Sequence, residues 1–291
     1  MKPAPFEYYD PDTVEEALEL LGHYGDEAKI LAGGQSLCPL LNMRLSAPEV
    51  LIDLNRISSL AYQREENGWL ALGAMTRQSR LEDDPTLAER QPLLAAAIPH
   101  IGHRAIRNRG TVGGSLVHAD PAAEWPALGL ALGAEFVARR AGGERVLAVD
   151  DFFLGALTTT LEPDELLTEV RLPIWPAGSA WAFIEFSRRH GDFALLGVAA
   201  RLGLAGDGRC TAARLVLISA GPTPLRVPQA EAMLVGEVGS AALFTAVAQQ
   251  ASQEIEPDSD LHASADYRRH LATVLVGRAL AQAYERTNQG G

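Results

Sequence analysis

The chain has 291 residues, 47% of them hydrophobic and 21% charged, and a net charge of −12. That length allows two domains with cores of their own, and the composition is that of a soluble globular protein. The acidic balance argues against nucleic acid or an anionic membrane as partner, because either would need a basic face. No apolar run approaches the ~20 residues of a membrane span. Met1 to Glu7 lacks the apolar core of a signal peptide, so a cytoplasmic location is expected.

Cysteine is scarce. Cys38 and Cys210 stand far apart with no C-x-x-C spacing. An all-cysteine iron–sulfur cluster takes four thiolates, and a structural zinc site takes several closely spaced Cys or His. The chain is therefore expected to hold no cluster and no metal. His100 and His103, beside Arg104, read as polar loop surface rather than ligands.

In chain order, Phe6 to Tyr9 is apolar and aromatic, and Thr13 with Glu16 forms a capping box. Val14, Ala17, Leu18 and Leu21 recur at helical spacing until Gly22 or Gly25. Lys29–Leu31 and Val50–Asp53 read as strands, with a short helix over 39–45 between them. Trp69–Gly73 reads as a strand, and Thr76 as the cap of a helix running to Leu81. Residues 85–98 read as helix in two pieces, because Pro92 falls inside them. Ala127–Leu132 reads as a buried helix. Glu135–Ala138 and Arg145–Val149 pair as a hairpin around Gly142-Gly143, and Leu166–Leu172 alternates as a strand. A Pro/Gly-rich link at 173–179 precedes strands over 180–187, 194–204 and 211–220. Helices follow near 229–234, 241–254 and 265–286. Strands followed by helices indicate an α+β layer.

Two small-residue stretches carry the chemistry. Leu31-Ala32-Gly33-Gly34-Gln35-Ser36-Leu37 follows one strand. Some eighty residues later comes Arg107-Asn108-Arg109-Gly110-Thr111-Val112-Gly113-Gly114-Ser115, running on through Asp120 to Glu124. A diglycine can take φ > 0 and lie close to a ligand, and free amides in such a turn form an anion-binding nest. Two nests suit two phosphates, hence a dinucleotide. One Gly-Gly-Ser turn alone is more often a plain loop, and neither standard nucleotide fingerprint is present. By the residues alone this is a dinucleotide site of unusual type.

With these stretches in view, the sequence resembles the FAD-binding medium subunits of the molybdenum hydroxylases. Four motifs carry the resemblance: A-G-G-Q-S at 32–36, R-N-R-G-T-V-G-G-S with A-D-P-x-x-E at 107–124, S-R-R-H-G-D-F-A at 187–194, and D-Y-R-R-H-L-A-x-V-L at 266–275. It implies an α+β fold, with a bipartite FAD-binding domain of the vanillyl-alcohol-oxidase (PCMH) type over 1–175. Its subdomains would cover about 1–55 and 56–175. A smaller α+β domain, a three-stranded sheet plus helices, would follow over 180–286.

The resemblance also implies site residues. Leu31 to Leu37 and Thr111, Gly113, Gly114 and Ser115 would meet the FAD pyrophosphate. Asp120 and Glu124 would hold flavin hydroxyls. Ile101 and Leu167 would line the cofactor, and Asp192 and Phe193 would stand at the flavin ring. Phe193 reads equally well as ordinary core on sequence alone. Many members carry Lys where this chain has Glu185, which puts a lysine contact to the flavin in doubt. Arg188 and Arg189 are read as bracing the domain interface in preference to free solvation.

The implied function is electron transfer. FAD, held non-covalently, would take electrons from a small subunit with two [2Fe–2S] clusters. A large molybdopterin subunit would hydroxylate the substrate, and an external acceptor would take the electrons. The implied assembly is a doubled heterotrimer. No side chain is expected to act as a catalytic acid or base. Two rival readings stand beside this one: a stand-alone FAD-dependent oxidoreductase of the same flavin fold, and a scaffold that holds FAD without turnover.

Overall fold

The computed structural model describes residues 2–176 and 179–288. Met1, and Ala177 and Gly178 of the predicted link, lie outside the described residues. The first layer comprises β1 (Glu7–Tyr9), α1 (Val14–Tyr24), β2 (Ala28–Leu31), α2 (Leu37–Met43) and β3 (Val50–Asp53). Its strands pair in parallel in the order β1–β3–β2. Helix α1 buries Val14, Ala17, Leu18 and Leu21 against this sheet, as its 3.6-residue period dictates. Thr13 Oγ1 accepts from the Glu16 amide at 3.2 Å, and Glu16 reaches back to the amide of Asp12 rather than to that of Thr13.

The second layer runs β4 (Gln63–Glu66), β5 (Trp69–Gly73), α3 (Gln78–Glu82), α4 (Leu87–Arg90), α5 (Pro92–Ala97), α6 (Arg104–Arg107), α7 (Val112–His118) and α8 (Glu124–Leu132). It continues with β6 (Glu135–Arg140), β7 (Gly143–Ala148), β8 (Phe153–Gly155), β9 (Thr158–Thr159) and β10 (Leu166–Pro173). The main sheet has the order β4–β5–β10–β6–β7, all antiparallel. Pro92 opens α5 and so divides the predicted helix where expected. Thr76 is not a cap. The helix starts at Gln78 behind Arg77, and the buried Thr76 hydroxyl donates to the Tyr62 carbonyl at 2.7 Å.

The third layer holds β11 (Ser179–Phe186), β12 (Leu196–Leu204), β13 (Cys210–Ile218), β14 (Leu225–Arg226), α9 (Pro228–Leu234), α10 (Ala241–Gln253) and α11 (Ala265–Asn288). Its antiparallel sheet has four strands, not three, because the two-residue β14 adds to the edge of β13. Side chains alternate between faces. Val198, Ala200, Leu215 and Leu217 pack under the last helices, while Ala199, Val216 and Ile218 join the core of the second layer. Helix α8 lies between β10 on one side and β12 and β13 on the other, so all nine of its residues are buried. Its C-terminal carbonyls meet cations from the third layer: Arg214 Nη1 donates to Leu130 at 2.8 Å and Arg201 Nη1 to Leu132 at 3.1 Å.

Candidate functional site

The first glycine stretch joins β2 to α2. Gly34 adopts φ +71°, a conformation that side chains disfavour. Among the described residues, the amides of Gly34, Gln35, Ser36 and Leu37 have no hydrogen-bond partner within the chain. Four neighbouring free N–H groups at a helix start are suited to an anion.

The second stretch differs from expectation. Gly113 and Gly114 are not a turn with φ > 0; they fill the first turn of α7. Close packing explains their size. A Cβ on Gly113 would stand 2.6 Å from that of Ala74, and one on Gly114 would stand 2.7 Å from Thr111 Oγ1. That hydroxyl caps the helix by accepting from the Gly114 amide at 3.0 Å. Nor is this stretch a nest of free amides, since Val112, Gly113 and Ser115 donate to Thr76, Ala74 and Thr111.

The two stretches touch. A Cβ on Gly33 would stand 2.9 Å from Gly110 Cα, and one on Gly114 would stand 3.5 Å from Ala32 Cβ. A polar chain fastens both. Asn55 Nδ2 donates to the Ala32 carbonyl at 2.9 Å, while Arg77 donates to Asn55 Oδ1 and to the Arg109 carbonyl. Asp53 steadies Asn55 from below, accepting its amide at 2.8 Å and the Tyr8 hydroxyl at 2.7 Å. Sequence reading missed Asn55 and Arg77, because nothing in their spacing shows that they meet.

The acidic pair lies on the turn into α8. Asp120 accepts from the Ala122 amide at 2.8 Å. Glu124 is buried, and burial pushes its carboxyl up to about 7; the Asp120 charge adds to this, while its own amide and Arg107 oppose it. Arg107 is itself buried and turned to Glu82, at 2.6 Å and 2.8 Å, and to the carbonyls of Ile101 and Gly102.

The 187–194 stretch crosses to the same side. Gly191, at φ +86°, packs so tightly on His103 that a Cβ would stand 2.7 Å from its Nδ1, and the His103 and His190 rings stack at 6.1 Å. Ser219 ties this stretch to the acidic turn: its amide donates to Pro121 at 2.9 Å and its hydroxyl to Ala194 at 2.7 Å. Asp192 and Phe193 are exposed, Phe193 at 64%, so Phe193 is not core. Ile101 and Leu167 are buried in the second-layer core, Leu167 on β10 beside α7. Arg188 and Arg189 are exposed. His100 is partly buried against the Phe183 ring at 5.2 Å, and burial lowers its pKa. Among the described residues no group of His, Cys, Asp or Glu is arranged to hold a metal.

Two family models account for this arrangement. The FAD binding domain in molybdopterin dehydrogenase matches residues 4–175, and the CO dehydrogenase flavoprotein C-terminal domain matches 181–283. The chain belongs to the FAD-binding medium subunits of the molybdenum hydroxylases. It is 43% identical to the 6-hydroxypseudooxynicotine dehydrogenase complex subunit alpha of Paenarthrobacter nicotinovorans, over 98% of this chain and 97% of that one. Carbon monoxide dehydrogenase from Hydrogenophaga pseudoflava superposes with a TM-score of 0.95 at 42% identity, covering 98% of this chain and 99% of that one. Quinoline 2-oxidoreductase from Pseudomonas putida 86 gives 0.94 at 40%, covering 99% of both.

As a medium subunit of this family the chain is an oxidoreductase component with an FAD-binding domain. No helix among its described residues is long and apolar enough to cross a membrane. Its residues fit FAD: small residues let the two stretches pack into one wall, and four free amides beside it offer donors to a pyrophosphate. The resemblance set Glu185 apart as a departure, and the structure places it on β11 with Oε2 buried and without a partner.

Proposed function

We propose that this medium subunit is the electron-transfer component of a heterotrimeric molybdenum hydroxylase, cytoplasmic, divided into domains over 1–175 and 180–286. It would receive electrons from a small subunit with two [2Fe–2S] clusters and deliver them to an external acceptor. A molybdopterin large subunit would hydroxylate the substrate, and the heterotrimer would be doubled. The observation that carries the reading is the contact between the two glycine stretches beside four unpartnered amides.

Residues 31–37 would bind the pyrophosphate through backbone donors, with Thr111, Gly113, Gly114 and Ser115 shaping the opposite wall. Asp120 and Glu124 would accept from flavin hydroxyls. Ile101 and Leu167 would back the cofactor. Asp192 and Phe193 would cover the ring and limit its contact with water and oxygen. FAD, when bound, supplies one-electron uptake and two-electron release; the protein holds and shields it. Its dehydrogenase relatives support the same reading.

The test is anaerobic reduction of the purified complex, produced from this chain and the products of its neighbouring genes. The flavin should bleach when the substrate of the large subunit is added to the complex, and should stay oxidised when it is added to this chain alone. Bleaching of the isolated chain by that substrate would favour a self-sufficient flavoenzyme.

A further inference from the structure

The second glycine stretch rests on the start of α3. The backbone of Arg77 is bridged to that of Thr111, and the Gln78 amide donates to the Gly110 carbonyl at 3.0 Å. The first stretch belongs to another layer, carried by β2 and β3, where the Leu54 amide donates to the Leu31 carbonyl at 3.0 Å. One side chain spans the two. Arg77 Nη1 donates to the Arg109 carbonyl, the same atom against which Gly33 packs, and Nη2 donates to Asn55 Oδ1. Asn55 Nδ2 carries the link on to the Ala32 carbonyl at 2.9 Å and donates to Asp53 as well. Asp53 accepts the Tyr8 hydroxyl at 2.7 Å, so the link ends on β1. Both acceptors of Arg77 are neutral oxygens. The guanidinium therefore acts through its planar fork rather than as half of an ion pair, a role that lysine does not copy.

We propose that Arg77, acting through Asn55, is a positioning residue that holds the two glycine stretches in register for FAD without touching the cofactor. This deepens the flavin reading given above and rests on it. The free amides of Gly34 to Leu37 lie on one stretch, and Thr111 with the first turn of α7 lies on the other. The span between these donors and the opposite wall is set where Ala32, Gly33 and Arg109 meet, which is where the fork closes. A link already made in the empty chain lowers the ordering cost of binding. Arg77 and Asn55 then work as one unit: cutting the link at either residue loosens the same joint, and cutting it twice loosens it no further.

The experiment measures the FAD dissociation constant of the full chain by quenching of FAD fluorescence, with far-UV circular dichroism of the FAD-free variants as the check on folding. Arg77→Ala and Asn55→Ala should each weaken binding about tenfold, as loss of a charge-assisted hydrogen bond allows. The double variant should bind no more than about twofold more weakly than either single variant. R77K keeps the charge but lacks the fork, and should bind within about threefold of Arg77→Ala. Wild-type affinity in R77K or in Asn55→Ala overturns the proposal, and so do additive losses in the double variant. Asn55 is exposed, so Asn55→Ala carries the test if the arginine variants do not fold. Hydrogen exchange of the FAD-free chain reads the joint without the flavin. The amides of Leu54 and Gln78 should exchange at least about threefold faster in Asn55→Ala than in the wild type, while those of β12 and β13 stay unchanged. Equal exchange at Leu54 and Gln78 in both proteins also overturns the proposal. A chain that shows the faster exchange in the variant, yet binds no FAD as wild type, refutes the flavin reading and leaves the joint itself standing.

Discussion

Gly33 packs against the Arg109 carbonyl so closely that a Cβ there would stand 2.9 Å from Gly110 Cα. Residues about eighty apart in sequence thus form one wall, and that wall has no room for a methyl group. Gly33→Ala should force the two stretches apart and reduce bound FAD at least tenfold while the far-UV circular dichroism stays unchanged. Gly114→Val should act in the same sense by displacing Thr111. Full flavin content in a folded Gly33→Ala protein would show that the contact does not shape the site.

Thr111 caps α7 through its hydroxyl. Thr111→Ala should cost about 1 kcal/mol and lower Tm by roughly 2–4 °C. Thr111→Ser should restore most of the loss, because the accepting oxygen remains. Calorimetry on the FAD-free chain separates this effect from ligand stabilisation. Equal Tm values for the Ala and Ser variants would mean that the cap adds little.

The buried Glu124 and the half-buried Glu185 set a pH dependence of folding. Glu124 and Glu185 are raised from 4.5 to about 7 and about 8, in each case chiefly by burial. Groups raised in the folded state bind protons more tightly there than when unfolded. Their stabilising contribution is therefore complete below about pH 4.5 and disappears as pH rises through 7 to 8. Urea unfolding of the FAD-free chain should show a drop on the order of 1–3 kcal/mol between about pH 6 and pH 8.5. Glu185→Gln should shrink that drop, and an unchanged drop would place its origin elsewhere.

Phe193 is 64% exposed at the end of the stretch that crosses to His103. Phe193→Ala should change stability by less than about 0.5 kcal/mol, as exposed substitutions do. It should weaken FAD binding modestly and alter the rate at which oxygen reoxidises the reduced protein. Stopped-flow reoxidation checks this; a destabilised variant with normal reoxidation would assign Phe193 to packing.

Much of this was legible in the sequence because local pattern and final structure agree. The apolar period of α1, the two-residue alternation of β12 and β13, and Pro92 between two helices all act over a few residues. Strand β4 was missed because Gln63-Arg64-Glu65-Glu66 is a polar sheet edge with no apolar alternation. The helix start at Val112 was hidden because two glycines lower helix propensity, and tertiary contact with Ala74 overrides it. Chemistry could be read in the two glycine stretches, but not the geometry that joins them. Asn55 and Arg77 become visible as fasteners only when β3, α3 and both stretches are in place.

The most direct test of the site is the flavin content of the purified chain. Absorbance should give about one FAD per chain, and acid precipitation should leave all the colour in solution, as non-covalent binding requires. A colourless chain that takes up no added FAD, or colour that stays with the precipitate, would contradict the account.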